Sequence, residues 1–406
     1  MAQPYSRRSF LIGVLTCGSI TASLTYLLSS PARNVTLRIG SGSDSSGGRE
    51  TLIRQWNVAH PEAEAAIVPY GSTSSDQRIE LQNAARTHSV DIVNLDLVDV
   101  PEFAKEGLIE PIEIPHNRAY LSKPLETCRW QDRDYAVPFN SDVGVMFRRV
   151  PGDDDQAVPR LADFLTDRAP GTLLTQLAPA NSSAEEAFVV NVLELVSTLD
   201  PGLIREEDGL LSQLPPDEAV LRWRTVLHTI RNSVLAGRLR TTGSEQEATD
   251  QFNKGTTGYM RNWPTAWPQL EANRRASTSS GDRLDLLPLP KGMLGGQNLA
   301  LVRGGPHREQ AWRLIEFLTA PESQKVLALH GFVPTHRRAY DDNAGVVRVV
   351  PHLGLLRDLV EDSRLRPIHP GYRTFAGVVK RYALAALRDN QQVDREFVDA
   401  MHRALS

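Results

Sequence analysis

Between Val35 and Leu95 the hydrophobic period of the chain switches back and forth, and this alternation constrains the fold more than any other feature. "VTLRIG" (Val35 to Gly40) alternates and is β-rich, and it runs into the polar loop "SGSDSSGG". In "ETLIRQWNVAHP", Leu52, Ile53, Trp56 and Ala59 fall on one helical face, and Pro61 ends the run. "AAIVPY" reads as a second strand, residues 76–87 as a second helix, and "VDIVNL" (Val90 to Leu95) as a strand apolar enough to be buried on both faces. Strand, helix, strand, helix, strand in that order predicts right-handed βαβ units and a parallel sheet. Ligands of such sheets sit in the loops beyond the strand ends.

The chain has 406 residues, more than one hydrophobic core serves, so two domains or one two-lobed unit are expected. The middle is helical by spacing: Phe188, Val189, Val192, Leu193, Val196 and Leu199 form one face, and Val220, Trp223, Val226, Leu227 and Ile230 another. "RLDLLPLP" (Arg283 to Pro290) returns to strand character. "AWRLIEFLTAPESQKVLALHG" then gives two helices, with Pro321 opening the second and Gly331 closing it. A net charge of −4 disfavours a nucleic-acid partner. Of the two cysteines, Cys17 lies in a leading apolar run, which leaves Cys128 without an expected partner. No CxxC or HExxH pattern is present, and no metal or other cofactor is expected.

The first 32 residues read as an export signal or membrane anchor. Arg7 and Arg8 precede an uncharged apolar stretch from Phe10 to Leu28, followed by small residues and Pro in "SSPAR". "SRRSFL" resembles the twin-arginine export signal, which implies export machinery as a partner and an extracytoplasmic body. Cys17, in "VLTC", is a candidate lipidation site, although Thr16 suits that processing poorly. An uncut segment of this length could span a bilayer.

Several further segments together resemble the extracellular solute-binding proteins of carbohydrate ABC importers, the family of maltose- and trehalose-binding proteins. They are "TLRIGSGSD", "VDIVNLDLVDVPEFAKEGLIEPI", "YAVPFNSDVGVMFRR", "AEEAFVVNVLE", "GYMRNWPTAW" and the long run from "PLPKGMLGGQN" to "PTHRRAY", in family order. The resemblance implies an α/β, two-lobed, periplasmic-binding-protein-like fold. Each lobe would be a mixed, mainly parallel sheet flanked by helices, with the ligand cleft between lobes. Residues 33–139 and 299–340 would form one lobe and 142–295 and 345–406 the other. Hinge crossings would lie near 139–142, 295–299 and 334–345. A monomer is expected, with ABC permease subunits as partners and hinge closure over the ligand.

Sugars present hydroxyls and flat C–H faces, so their sites need carboxylates, amides and aromatic rings rather than a nucleophile. Ser43 and Asp44 offer polar groups at a strand end, where they also suit a helix cap. Asp76 opens a helix and reads as cap or ligand contact; Asp96 follows a buried strand. Asn140 and Asp142 fall on a crossing, and Gly295 and Gly296 on another, where backbones approach closely. Trp263, in a Trp-Pro turn, is the expected stacking platform, with Trp267 less clearly so; Trp56 and Trp312 read as core. In "HPGYRTF", Tyr372 and Arg373 match a late family loop that meets the ligand. Arg366 reads as a partner for a surface carboxylate, Asp99 as a helix cap, and Glu186 as a helix-opening acid at a family position. "NSSAE", before Glu186, lacks the aromatic of sugar-binding relatives, which points to a small polar ligand.

These features imply a non-catalytic sugar receptor that hands its ligand to a permease. Three alternatives stay open: an exported carbohydrate hydrolase, for which no G-x-S-x-G or zinc pattern is present; a membrane-tethered sensory or scaffolding protein on the same fold; and a receptor for an amino acid, polyamine or metal chelate.

Overall fold

The computed structural model describes residues 35–406 except 45, 72–73, 115, 151–156, 179–184, 206–207, 277–281 and 342–344, and except the side chains of 74 and 75. Arg7, Arg8 and Cys17 lie outside the described residues. Two sheets organise the chain. The first contains β1 (Val35–Ser41), β2 (Ala63–Pro69), β3 (Ile92–Asp96), β6 (Val137–Val143), β12 (Leu294–Leu301) and β13 (Val333–Pro334), in the order β13-β6-β12-β3-β1-β2. The second contains β7 (Val145–Val150), β8 (Leu173–Thr175), β9 (Leu239–Thr241), β10 (Tyr259–Asn262) and β11 (Arg283–Pro288), in the order β11-β7-β10-β8-β9. A small hairpin, β4 (Arg129–Trp130) with β5 (Arg133–Asp134), stands apart.

The expected βαβ opening is present: β1 pairs in parallel with both β2 and β3, and helices Gly48–Ala59 and Ser74–Arg86 are the crossovers. Both sheets are mixed. In the first, β12, β6 and β13 add antiparallel pairings; in the second, β8 pairs in parallel with β9 and β10, whereas β7 runs antiparallel to β10 and β11. Each antiparallel pair in the two sheets includes β6, β7 or β12, the strands by which the chain passes from one sheet to the other.

Each sheet has its own core. Leu37, Ile92, Val93, Phe103, Ile315 and Trp56 pack around the first, and Phe147, Met260, Leu173, Phe188, Trp223 and Phe397 around the second. Helix Pro216–Leu235 buries Val220, Trp223, Val226, Leu227 and Ile230, the stripe its spacing predicts. Each large apolar side chain so buried contributes about 1.5–3 kcal/mol. Trp56 is core, and Trp312 packs partly buried against the same cluster. Cys128 is free and buried.

Among the described residues, two strand-to-strand passages join the two sheets. β6 and β7 are separated by Gly144 alone. β12 returns beside β6, with Leu294 opposite Val143. β12 is tied to the segment after helix Leu353–Glu361 through Leu294 N–H donating to Arg364 O (2.8 Å) and Arg364 N–H donating to Gly292 O (2.9 Å). Glu194 sits where the two passages meet. Its carboxylate accepts Met293 N–H at 3.1 Å, and a Cβ on Gly144 would fall 2.1 Å from its Oε1. Among the described residues, no helix is long and apolar enough to cross a membrane.

Candidate ligand-binding site

A cavity of about 1110 Å³ opens at these passages and is lined from both sheets. Ser43, Asp44, Arg49 and Asp96 come from the β1 and β3 side; Glu186, Glu245, Trp263 and Arg366 face them; Asn140, Asp142, Gly295, Gly296 and Gln297 form the floor.

The first wall is a helix entrance. Gly47 at the head of helix Gly48–Ala59 makes no side-chain cap, so the loop supplies the acceptors. Asp44 Oδ2 accepts Arg49 N–H at 3.0 Å, Asp44 Oδ1 accepts Ser46 N–H at 2.8 Å, and Ser46 Oγ accepts Gly48 N–H at 3.1 Å. The cap and site readings of Asp44 therefore coexist. Burial works to raise its carboxyl, but Ser46, the Arg49 backbone and the Arg49 charge hold it below its ordinary value. Arg49 is itself buried and donates to Ser41 Oγ (2.9 Å), Gly42 O (3.4 Å) and Gln297 Oε1.

The second wall is aromatic. Trp263 Nε1–H donates to Glu245 Oε1 at 3.2 Å. The Arg261 guanidinium lies 4.1 Å from the ring centroid, held from behind by two 2.7 Å bonds to Glu194. Gly295 makes room for this ring, because a Cβ there would stand 3.1 Å from two indole carbons. Gly296 is required more strongly: its φ is +128°, and a Cβ would lie 2.3 Å from Asn140 O.

The remaining corner is a cluster of paired charges that crosses between the two sides. Arg366 donates to Asp96 Oδ1 at 2.8 Å and to Glu186 Oε1; Arg373 donates to both Asp99 oxygens at 2.7 Å and to Glu186 Oε2 at 2.8 Å. The Tyr372 hydroxyl donates to Glu186 Oε1. Burial pushes Asp96 up, but Arg366 and Arg373 outweigh it and hold the carboxyl below its usual range. Burial would lower Arg366, and Asp96, Tyr372 and Glu186 reverse that. For Asp99 burial prevails over Arg373, and its carboxyl is raised.

Of the residues singled out from sequence, Ser43, Asp44, Asp96, Asn140, Asp142, Trp263, Gly295 and Gly296 line the cavity. Asp76 is not among its walls: it is exposed in the first turn of helix Ser74–Arg86. Tyr372 and Arg373 stand one layer behind, in the first turn of helix Tyr372–Asp389 rather than in a loop, with their polar groups turned to Glu186 and Asp99. Arg366 is not paired at the surface; it is 2% exposed and lines the cavity. Asp99 makes no side-chain cap and serves Arg373 instead. Sequence reasoning passed over Arg49, Gln297 and Glu245. Arg49, an arginine on the apolar side of a helix, carried the one readable sign.

Three solved structures match over almost their full length. Maltose-bound MalE3 of T. maritima superposes with a TM-score of 0.72 at 22% identity, covering 91% of this chain and 98% of that one. The GacH receptor of Streptomyces glaucescens, solved unliganded and with acarbose, gives 0.73 at 18% identity, covering 92% and 98%. A solute-binding protein of Thermotoga lettingae bound with α-D-tagatose gives 0.70 at 15% identity, covering 91% and 98%. These likenesses show the two-lobed periplasmic-binding-protein fold. A "Probable ABC transporter-binding protein" of Deinococcus radiodurans is 27% identical over 323 residues, 72% of this chain and 74% of that protein. The model of the bacterial extracellular solute-binding proteins matches residues 51–347, and with the cavity lined from both lobes this makes the chain a member of that family of binding proteins, not enzymes.

Proposed function

We propose that this protein is the extracytoplasmic receptor of an ABC importer, that it captures a sugar of one to a few units between its lobes, and that it delivers the sugar to a membrane permease. The observation that carries this reading is the cavity itself. Its volume of about 1110 Å³ is at the upper end of small-molecule sites, and carboxylates, amides and one indole converge on it. Hydroxyl-rich rings use those groups together: paired acceptors for hydroxyls and an aromatic face for the C–H side. The D. radiodurans relative's name supports the transporter role, and the maltose-, acarbose- and tagatose-bound neighbours support a carbohydrate ligand.

Residues 33–139 with 299–340 would close on 142–295 with 345–406, bending near 139–142, 295–299 and 334–345. Ligand then shifts the population toward the closed form. Arg7 and Arg8 would direct export, with Cys17 as a possible anchor site.

A thermal-shift screen of the purified protein against mono-, di- and trisaccharides tests the reading. A binder raises Tm by mass action. Trp263→Ala should abolish that rise and leave the Tm of the empty protein within a few degrees, about 1–3 °C. A panel without a single hit, or a sugar returned hydrolysed, refutes the receptor role.

A further inference from the structure

The cavity floor holds a carboxyl group that no hydrogen bond in the protein completes. Asp142 lines the cavity, receives no hydrogen bond among the described residues, and its Oδ1 is buried without a partner. Asn140, two residues earlier on β6, is 3% exposed, and its Oδ1 is likewise buried and unpartnered. The indole of Trp263 reaches the same spot. A Cβ built on Gly295 would lie 3.1 Å from two indole carbons and 3.3 Å from the Asp142 Cβ, so ring and carboxylate flank one point.

The two cations that act on Asp142 through space direct most of their donors elsewhere, with Arg49 Nε and Arg261 Nη1 left unpartnered. Arg261 gives two 2.7 Å bonds to Glu194, and Arg49 donates to Ser41, Gly42 and Gln297. Burial accordingly pushes Asp142 up to about 8 against the pull of both arginines. At neutral pH the empty site therefore holds Asp142 largely protonated, and a sugar hydroxyl would give it one neutral hydrogen bond. An ammonium would instead take up the ionised form, donating a charge-assisted hydrogen bond to the carboxylate while lying against an aromatic ring.

Resting on the sugar-receptor reading, we propose that the ligand is an amino sugar whose protonated amine is received by Asp142 beside Trp263 and Asn140. Glucose-type hydroxyls elsewhere on the ring would meet the other walls. The amine is the feature that separates this ligand from a neutral sugar of the same shape.

Calorimetry on the purified full chain at neutral pH tests this with matched probes. D-glucosamine, D-galactosamine and D-mannosamine are each compared with the parent sugar and the N-acetyl derivative, and the β-linked glucosamine disaccharide with cellobiose. At least one amine should bind about tenfold tighter than both of its neutral counterparts. Asp142→Asn should bring that ratio close to one, with circular dichroism confirming that the variant folds. Parent sugars that bind as well as the amines overturn the amino-sugar assignment and leave the receptor reading intact. Binding of spermidine with no sugar of either kind bound overturns both.

Discussion

Two corners of one cavity handle charge in opposite ways. At the Asp96–Arg366–Glu186–Arg373–Asp99 corner every carboxylate has a guanidinium partner, and the groups come from both sides of the cavity. At the Asn140–Asp142 corner the acceptors are buried without partners. Removing one partner of a buried ion pair strands the remaining charge, whereas an unpartnered buried acceptor is already without compensation. The first corner is closed on itself, and the second leaves its acceptors open to the cavity.

The sharpest way to break this contrast is to open the complete corner. Arg366→Ala leaves Asp96 and Glu186 buried with less compensation and should cost about 3–5 kcal/mol, read by denaturant unfolding. A loss below about 1 kcal/mol would reduce the cluster to the worth of exposed pairs.

The incomplete corner should respond to pH instead. Asp142 titrates at about 8 in the folded protein against the ordinary 3.8 of an unfolded chain. Between those values the folded state holds the extra proton, so the empty protein loses stability as pH rises through that window. Scanning calorimetry should show Tm falling by roughly 2–5 °C across it, and Asp142→Asn should flatten the fall. Parallel curves for the two proteins would place the group in an ordinary, hydrated setting. The smallest effect belongs to Asp76, outside both corners: Asp76→Ala should change stability by less than about 0.5 kcal/mol and leave sugar affinity alone.

The alternation from Val35 to Leu95 was readable because local period decides strand and helix. The floor was readable for a related reason: Asn140, Asp142, Gly295 and Gly296 are residue types that stand out in segments otherwise reading as strand. The charge cluster was not. Arg366 meets Asp96 across 270 positions and Glu186 across 180, and no local pattern marks which arginine finds which acid. Tyr372 and Arg373 were noticed by resemblance but assigned to the ligand, because a loop and a helix start look alike in "HPGYRTF". Asp76 lies outside the cavity walls, and helix-opening acids and ligand contacts draw on the same residue types.

The single-residue link at Gly144 has one more consequence. Val137 and Phe139 feed the first core and Val143 the second, Asn140 and Asp142 line the cavity from positions between them, and beyond Gly144 the residues Val145, Met146 and Phe147 all enter the second core. One in-out rhythm therefore runs along β6 from the first hydrophobic interior, past the cavity floor, to the edge of the second. Lengthening or shortening this ribbon by one residue would turn it inside out on one side of the change, so its spacing is fixed more tightly than the identity of most residues in it.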